Sequence, residues 1–320
     1  MKRIGSLALC FLMVISMCHT FHVSAVTGNE FAPGSGDGTT EETAFLIATP
    51  EHLNNVRNYI GVGHADKHFK LTADIDLNTD PYNTGSGWTP IGTSANAFTG
   101  TFDGNGHTIS GLFIKLNGSW GSYIPTGLFR NTGSTAEIFD LTLDTINING
   151  CYYVGSLVGL NQGSISNVAA TGTVAGEFDT GGLVGVNSGS ITRCSFNGDV
   201  TGTDEIEYGD WTGGLVGYNS GAIIECRADA SVFTEGKSAG GLVGESLEEG
   251  VITKSFSTGT LTLHNYGGGL VGSNQGEITA CYSTCAVNGT DCLGGLTGDN
   301  SGPIHDSYAA GPVNGTGYDV

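Results

Sequence analysis

The sequence predicts an all-β protein that folds as a right-handed parallel β-helix. A five-residue phrase, Gly-Gly-Leu-Val-Gly, recurs along the chain, most copies are followed by an Asn-Xaa-Gly turn, and the repeats lack the apolar spacing of a helix. Self-similarity at a period of about 20–50 residues indicates a solenoid, a propeller or an array. The clean copies, the last with Thr in place of Val, begin at Gly181, Gly213, Gly240, Gly268 and Gly294.

The central leucine of each copy defines the period, and two looser copies extend the series towards the N-terminus. The leucines, spaced 26 to 32 residues apart, are Leu128, Leu157, Leu183, Leu215, Leu242, Leu270 and Leu296. Each unit holds three short apolar segments bounded by turn residues, which is typical of strands. Three strands in about 28 residues predict one coil of a solenoid whose coils stack about 4.8 Å apart. A propeller blade needs about 40 residues and four strands, so these units are too short for a propeller.

An isoleucine follows most of the leucines after eight residues. The distance is ten residues from Leu128 to Ile138 and from Leu242 to Ile252, which indicates a two-residue insertion at one turn. The asparagine of this turn tolerates the left-handed conformation, and stacked coils would align its side chains in a hydrogen-bonded ladder. We predict that the ladder is structural and consists of Asn161, Asn187, Asn219, Asn274 and Asn300.

The residues that precede the regular repeats are predicted to have two roles. Residues 1–25 have the basic start, apolar stretch and small-residue cleavage site of a secretory signal peptide. Residues 26–126 are expected to form an N-terminal cap and irregular first coils. Within them, Thr49, Pro50 and Glu51 begin an amphipathic helix, with Thr as the N-cap and Pro at the first helical position. Such a helix would cover the apolar end of the first coil.

Residues 127–320 are predicted to be the β-helix repeats, cut off within the array. The segment 316–320 corresponds to the run of residues that precedes a further copy of the phrase, as Tyr152 and Tyr153 precede Gly155. We therefore expect more coils, and downstream domains of the same polypeptide, to follow Val320.

The chain is strongly acidic. It has 11 Lys and Arg residues against 31 Asp and Glu residues, for a formal net charge of −20. This charge argues against nucleic acid and against anionic membranes as partners. Beyond the signal peptide, no apolar stretch is long enough to insert into a membrane. The composition therefore favours a secreted or cell-surface protein.

Three stretches upstream of the repeats, together with the repeats, resemble the GLUG-repeat family of bacterial secreted and surface proteins. The stretches are Leu71–Leu77, Trp88–Gly92 and Gly100–Leu112, and the resemblance covers nearly all of residues 45–320. It implies a β-helical surface or adhesin-like module. Such repeats also accompany some immunoglobulin-A-cleaving metallopeptidases, but the His-Glu-Xaa-Xaa-His zinc motif is absent from this sequence. The family has no catalytic residues to carry over.

Aromatic rings and carboxylates mark the candidate ligand-binding residues. The insertion in the longest repeat, residues 204–211, combines four carboxylates with two aromatics on a loop, where binding residues often lie. With the tyrosines before another coil, the predicted ligand-binding residues are Tyr152, Tyr153, Tyr208, Asp210 and Trp211. Exposed rings could stack on the apolar faces of sugars, or they could pack within the coil edges. Calcium contact by the loop is an alternative.

No catalytic residues and no metal site are predicted. The run from Asp74 to Asp80 begins like a calcium loop, but it lacks the Gly and Glu that an EF-hand needs at its sixth and twelfth positions. Cys194, Cys226 and Cys281 share a repeat position with Val and Ser, so we expect buried free thiols. The sequence leaves open whether two of the cysteines at positions 281, 285 and 292 form a disulfide.

We interpret the chain as a secreted or cell-surface, non-catalytic module that binds a glycan or a host or matrix surface as an adhesin does. A β-helical polysaccharide lyase or glycoside hydrolase is one alternative. A passive stalk for a downstream domain, such as a metallopeptidase, is another. No cofactor is expected, apart from the calcium alternative.

Overall fold

The chain is an all-β, right-handed parallel β-solenoid of about ten turns. The structure is a computed structural model and describes residues 30–61, 63–116, 123–203, 210–236 and 238–317. The predicted signal peptide, residues 1–25, lies outside the described residues. The ladders between the strands run parallel and form one 20-stranded sheet, here called sheet 1, and two seven-stranded sheets, sheets 2 and 3.

The N-terminal elements combine short strands with one short helical segment. They are β1 (Phe45–Ile47), α1 (Pro50–Asn55), a 3-10 turn (Val56–Tyr59), β2 (His68–Leu71), β3 (Ile75–Asp76), β4 (Thr101–Asp103), β5 (Thr108–Ser110) and β6 (Phe113–Lys115).

The repeats then add strands to all three sheets in turn. In chain order these strands are β7 (Pro125–Thr126), β8 (Phe129–Asn131), β9 (Glu137–Asn149), β10 (Tyr152–Val154), β11 (Val158–Asn161), β12 (Ser164–Gly176), β13 (Phe178–Gly181), β14 (Val184–Asn187), β15 (Ser190–Thr192), β16 (Ser195–Gly202), β17 (Trp211–Gly213), β18 (Val216–Asn219), β19 (Ala222–Ile224), β20 (Arg227–Thr234), β21 (Ser238–Gly240), β22 (Val243–Ser246), β23 (Val251–Thr253), β24 (Phe256–Thr262), β25 (Asn265–Gly268), β26 (Val271–Asn274), β27 (Glu277–Thr279), β28 (Tyr282–Ser283), β29 (Ala286–Gly289), β30 (Asp291–Gly294), β31 (Thr297–Asn300), β32 (Ile304–His305), β33 (Tyr308–Ala309) and β34 (Val313–Gly315).

Each coil contributes one strand to sheet 2 and one to sheet 3 before it returns to sheet 1. Sheet 2 contains β7, β10, β13, β17, β21, β25 and β30. Sheet 3 contains β8, β11, β14, β18, β22, β26 and β31. The phrase itself forms the bend between sheets 2 and 3, because its first glycine ends a strand of sheet 2 and its valine begins a strand of sheet 3.

The recurring leucines line a common interior, which confirms the predicted solenoid core. Six of the seven central leucines, from Leu128 to Leu270, have 0% of their surface exposed, and Leu296 is partly buried against the same core. The isoleucines stack in register from coil to coil, with Ile252 paired to both Ile223 and Ile278. The ten-residue spacing before Ile252 is therefore an insertion absorbed by the turn, as predicted.

The segment that begins at Thr49 starts as the sequence predicts. The Thr49 side chain accepts a hydrogen bond from the His52 backbone N–H at 3.3 Å, and Pro50 occupies the first turn. Leu53 and Val56 are fully buried, so the apolar face of this segment packs into the core. The regular helix ends at Asn55 and continues as one 3-10 turn.

The predicted asparagines stack at the corner where sheet 3 ends. Nδ2 of Asn161 donates to Oδ1 of Asn187 at 2.8 Å, and Asn187 donates to Asn219 in the same way at 2.8 Å. Asn274 donates to Asn300, also at 2.8 Å. Ser246 occupies this position in the intervening coil, so the row is interrupted there.

The interruption leaves one buried polar atom without a partner. Ser246 Oγ accepts from Asn219 Nδ2 at 3.4 Å, but a serine has no amide to donate onward, and Oδ1 of Asn274 is buried without a hydrogen bond. Ser246→Asn is expected to supply that donor and to raise the free energy of unfolding by about 1 kcal/mol. Urea unfolding measures the change. Ser246→Ala, which removes the acceptor, should lower stability, and an asparagine variant no more stable than the parent would contradict the explanation.

Candidate functional site

Three side chains of sheet 2 form a row across adjacent coils. The register between β10 and β13 places Tyr153 beside Asp179, and the register between β13 and β17 places Asp179 beside Trp211. Tyr153 and Trp211 are partly exposed, whereas Asp179 keeps only 7% of its surface exposed. The carboxyl group of Asp179 is thus flanked by an aromatic residue one coil away on each side.

A second row, on sheet 3, lies alongside the first. Tyr218 of β18 is in register with Glu245 of β22, and its ring centroid lies 5.2 Å from that of Trp211. Glu245 is 8% exposed and accepts a hydrogen bond from Gln275 Nε2 at 3.3 Å. We call Tyr153, Asp179, Trp211, Tyr218 and Glu245 the aromatic–carboxylate strip.

The strip and its surroundings concentrate acidic groups in a poorly solvated place. Burial, together with the smaller effect of the charges of Asp210 and Glu245, raises the pKa of Asp179 to about 8. Burial also raises the pKa of Tyr218, with Glu245 and Asp179 adding to the effect. Oδ1 of Asp179 is buried and has no hydrogen-bond partner. A buried acceptor of this kind is costly unless something supplies a donor or a positive charge.

The structure buries two of the sequence-predicted ligand residues, Tyr152 and Asp210. Tyr152 was expected to be exposed, but it is only 7% exposed because its ring stacks on Phe178 at 4.6 Å with an interplanar angle of 6°. Asp210 is fully buried, and Thr234 Oγ1 donates to its Oδ2 at 3.2 Å. Tyr208 lies outside the described residues. Tyr153 and Trp211 are therefore the predicted residues that the structure places together at a partly exposed surface.

Three members of the strip were missed by sequence reasoning, namely Asp179, Tyr218 and Glu245. Aligning the repeats on their glycines would have found them. Tyr153, Asp179 and Trp211 each precede the first glycine of the phrase by two residues. Tyr218 and Glu245 each follow its last glycine directly. Residues at one repeat position stack in neighbouring coils, so these two positions define two rows.

The carboxylates of the run from Asp74 to Asp80, which begins like a calcium loop, each accept a hydrogen bond from a different residue. Asp74 Oδ1 accepts from the Thr108 backbone N–H at 2.9 Å, and Asp76 Oδ1 accepts from the Asn78 backbone N–H at 2.8 Å. Thr84 Oγ1 donates to Asp80 Oδ1 at 3.0 Å. Within the described ranges, no group of three or more His, Cys, Asp or Glu residues is arranged to hold a metal ion.

The cysteines at the shared repeat position act as hydrogen-bond acceptors. The Cys194 backbone N–H donates to Cys226 Sγ at 3.4 Å, and the Cys226 backbone N–H donates to Ser255 Oγ at 3.0 Å. Burial raises the pKa of the Cys194 and Cys281 thiols, which makes them unreactive. Cys281 and Cys285 form no disulfide, so none of the bridges considered among positions 281, 285 and 292 is present.

Cys226→Ser should be nearly neutral because a hydroxyl keeps the acceptor for the Cys194 backbone N–H. Cys226→Ala should cost about 1–3 kcal/mol, since that buried N–H then has no partner. Chemical unfolding of the two variants side by side measures the difference. Equal stability of the serine and alanine variants would show that the sulfur is only a space-filling group.

The fold and its repeated side-chain rows define a class of protein: a parallel β-solenoid built from sequence repeats. Residues 150–175 and 176–201, which form two consecutive coils and carry Tyr153 and Asp179, match the GLUG motif. This part of the chain therefore carries two GLUG motifs.

Curated relatives match part of the chain. A protein of Evansella cellulosilytica, with the proposed name of a Gly-rich membrane protein, is 40% identical over 174 residues, which are 53% of this chain and 19% of that protein. Halomucin of Haloquadratum walsbyi is 41% identical over 115 residues, 35% of this chain and 1% of halomucin. The chain thus aligns with about a fifth of the first relative and a small fraction of the second.

Two solved structures share the fold. A chain of Bacteroides ovatus proposed to be an immunoglobulin A1 protease has a TM-score of 0.66 and 19% identity, covering 88% of this chain and 87% of that one. A structure described as an IgA1 protease has a TM-score of 0.62 and 20% identity, covering 83% of this chain and 21% of that one. At this identity the similarity is one of fold. The described residues contain no helix with the length and apolar character needed to cross a lipid bilayer.

Proposed function

We propose that this protein is an extracellular surface module that binds glycans through the aromatic–carboxylate strip and does not transform them. The observation that carries the proposal is the partly exposed pair Trp211 and Tyr218, 5.2 Å apart, beside two carboxylates. Aromatic rings bind the apolar faces of sugars, and carboxylates accept hydrogen bonds from sugar hydroxyl groups. The names of the relatives, a Gly-rich membrane protein and a halomucin, support a surface location.

The same proposal assigns roles to the N-terminal part. Residues 1–25 direct secretion, and α1 with its 3-10 turn caps the open end of the first coils. Leu53 and Val56 support the cap because they are fully buried. A covered end prevents strand edges and core from pairing with other chains. The similarity of fold to protease chains favours, as a second role, a stalk that presents other domains.

A polysaccharide-degrading activity is the competing function, and one observation favours it. A carboxyl group with a pKa of about 8, such as Asp179, is protonated at neutral pH and could act as a general acid. Glycoside hydrolysis also needs a second carboxylate aligned across the scissile bond. Products released from a glycan by the purified protein would support this function instead.

Glycan binding is tested with the full chain on a glycan array, followed by calorimetry with the glycans that are retained. Trp211→Ala should weaken binding at least tenfold, because about 1.4 kcal/mol of ring–sugar contact corresponds to a factor of ten. Phe233→Ala removes an exposed ring (44%) on sheet 1 and serves as the control. No retained glycan, or equal losses in both variants, would refute the proposed site.

A further inference from the structure

We propose that the aromatic–carboxylate strip selects glycans that carry an ammonium group, with Asp179 as the counter-ion and Tyr153, Trp211 and Tyr218 as the surrounding rings. The ligand class is an amino sugar whose nitrogen is not acetylated. This inference rests on the proposed glycan-binding function and specifies which sugars the site prefers.

The first support is the placement of the rings around one carboxyl group. In-register pairing puts Tyr153 and Trp211 one coil to either side of Asp179, and parallel strands lie about 4.8 Å apart. Tyr218 approaches from sheet 3, with its ring against that of Trp211. Cations bind ring faces within about 6 Å of the centroid, so an ammonium group near Asp179 would lie within reach of several rings.

The second support is the unsatisfied state of the Asp179 carboxyl group. Only 7% of the Asp179 surface is exposed, so the residue is 93% buried, yet its Oδ1 has no hydrogen-bond partner. The charged groups that act on it are Asp210 and Glu245, both acidic. The side-chain ion pairs among the described residues join Lys70 to Asp103, His107 to Asp74, and Lys254 to Glu225, all away from this carboxyl group. In the free protein the Asp179 carboxyl group is protonated at neutral pH, because burial raises its pKa to about 8. An ammonium group that binds beside it would displace this proton to solvent and donate N–H hydrogen bonds to the resulting carboxylate.

The composition of the strip favours an organic cation over a metal ion. Calcium takes six to eight oxygen ligands, whereas three of the five strip residues present rings. The described His, Cys, Asp and Glu residues form no group suited to a metal. A primary ammonium on a sugar offers N–H donors to Asp179, and the sugar ring presents an apolar face to Trp211.

A matched pair of ligands tests the inference with the full chain. Tetramers of glucosamine and of N-acetylglucosamine have the same rings but differ in charge and acetylation. Calorimetry at pH 6.5 should show binding of the glucosamine tetramer at least tenfold tighter than that of its acetylated counterpart. Asp179→Asn should abolish this preference. Asp199→Asn removes an exposed carboxylate of sheet 1 and should leave it intact, which separates the site from general attraction to an acidic protein.

The possible results separate this inference from the function on which it rests. If acetylated or neutral glycans bind as tightly as the amino sugar and binding is lost in Trp211→Ala, glycan binding stands and the ammonium preference is overturned. If Asp179→Asn and Asp199→Asn reduce the preference equally, the attraction is not specific and the inference is also overturned. If no glycan binds at all, both proposals fail. Circular dichroism of each variant establishes that it is folded.

Discussion

Gly217→Val is expected to destabilise the solenoid by more than about 3 kcal/mol and to prevent its accumulation as a folded protein. Gly217 is the last glycine of its phrase and the second residue of β18, directly after the bend between sheets 2 and 3. A Cβ atom at this position would lie 2.5 Å from the carbonyl carbon of Asp179 and 2.7 Å from the backbone nitrogen of Thr180. Both contacts are with backbone atoms of the neighbouring coil, so no side-chain rotation can relieve them.

The matched control is a glycine whose added side chain would meet nothing. Gly85 has a positive φ of 62°, but a Cβ there has no atom within 4 Å. Gly85→Ala should therefore cost about 1 kcal/mol, from the backbone conformation alone. Circular dichroism and urea unfolding compare the two variants. If Gly217→Val unfolded at the same urea concentration as Gly85→Ala, the close approach of sheets 2 and 3 would not be the reason why the last residue of the phrase is glycine.

The core of the solenoid could be predicted because its signal is periodic along the chain. Leu183 and Ile191 repeat at the same positions in coil after coil, and each copy has the same buried neighbours above and below. The insertions did not obscure this signal, since the pairing of Ile252 with Ile223 shows that the turn absorbs two residues without shifting the register. A repeated apolar position therefore indicates the interior even where the spacing varies.

The candidate site was predicted only in part because it combines residues from different coils. Tyr153, Asp179 and Trp211 are different residue types, so no repeated letter marks their common position. Trp211 lies in an acidic insertion that stands out in the sequence, whereas its partner Tyr218 follows an ordinary copy of the phrase. Only the register across the coils, and the approach of sheet 3 to sheet 2, brings them together.

Two of the predicted ligand-binding residues, Tyr152 and Asp210, are buried by residues of neighbouring coils. In the register of sheet 2, both residues flank Phe178, one coil away on each side. The Tyr152 ring is covered by the rings of Tyr123 and Phe178, at centroid distances of 4.5 and 4.6 Å. The Asp210 carboxyl group is covered where it accepts a hydrogen bond from Thr234 Oγ1. Turn residues and charges at a strand end indicate a corner, but packing against the neighbouring coils decides which of the side chains there reach solvent.

Asp179→Asn is expected to stabilise the protein at alkaline pH by about 3 kcal/mol or more, with little effect at pH 4. The pKa of Asp179 rises from 3.8 to about 8 on folding, mainly because burial disfavours the ionised form. Between these values the folded protein holds a proton that the unfolded chain has released. The stability of the native protein therefore falls as the pH rises from about 4 through about 8, and it levels off above that range.

Asparagine at position 179 cannot ionise, so the variant should lose this part of the pH dependence. The difference in unfolding free energy between variant and parent should grow across the window from pH 4 to pH 8, as measured by urea unfolding at each pH. Tyr153 and Tyr218, whose pKa values are raised above 10, do not titrate in this window. Asp199→Asn, which removes an exposed carboxylate, is the control for the loss of one negative charge. Parallel pH profiles for the parent and Asp179→Asn would mean that Asp179 is ionised in the folded protein, with a cation already beside it.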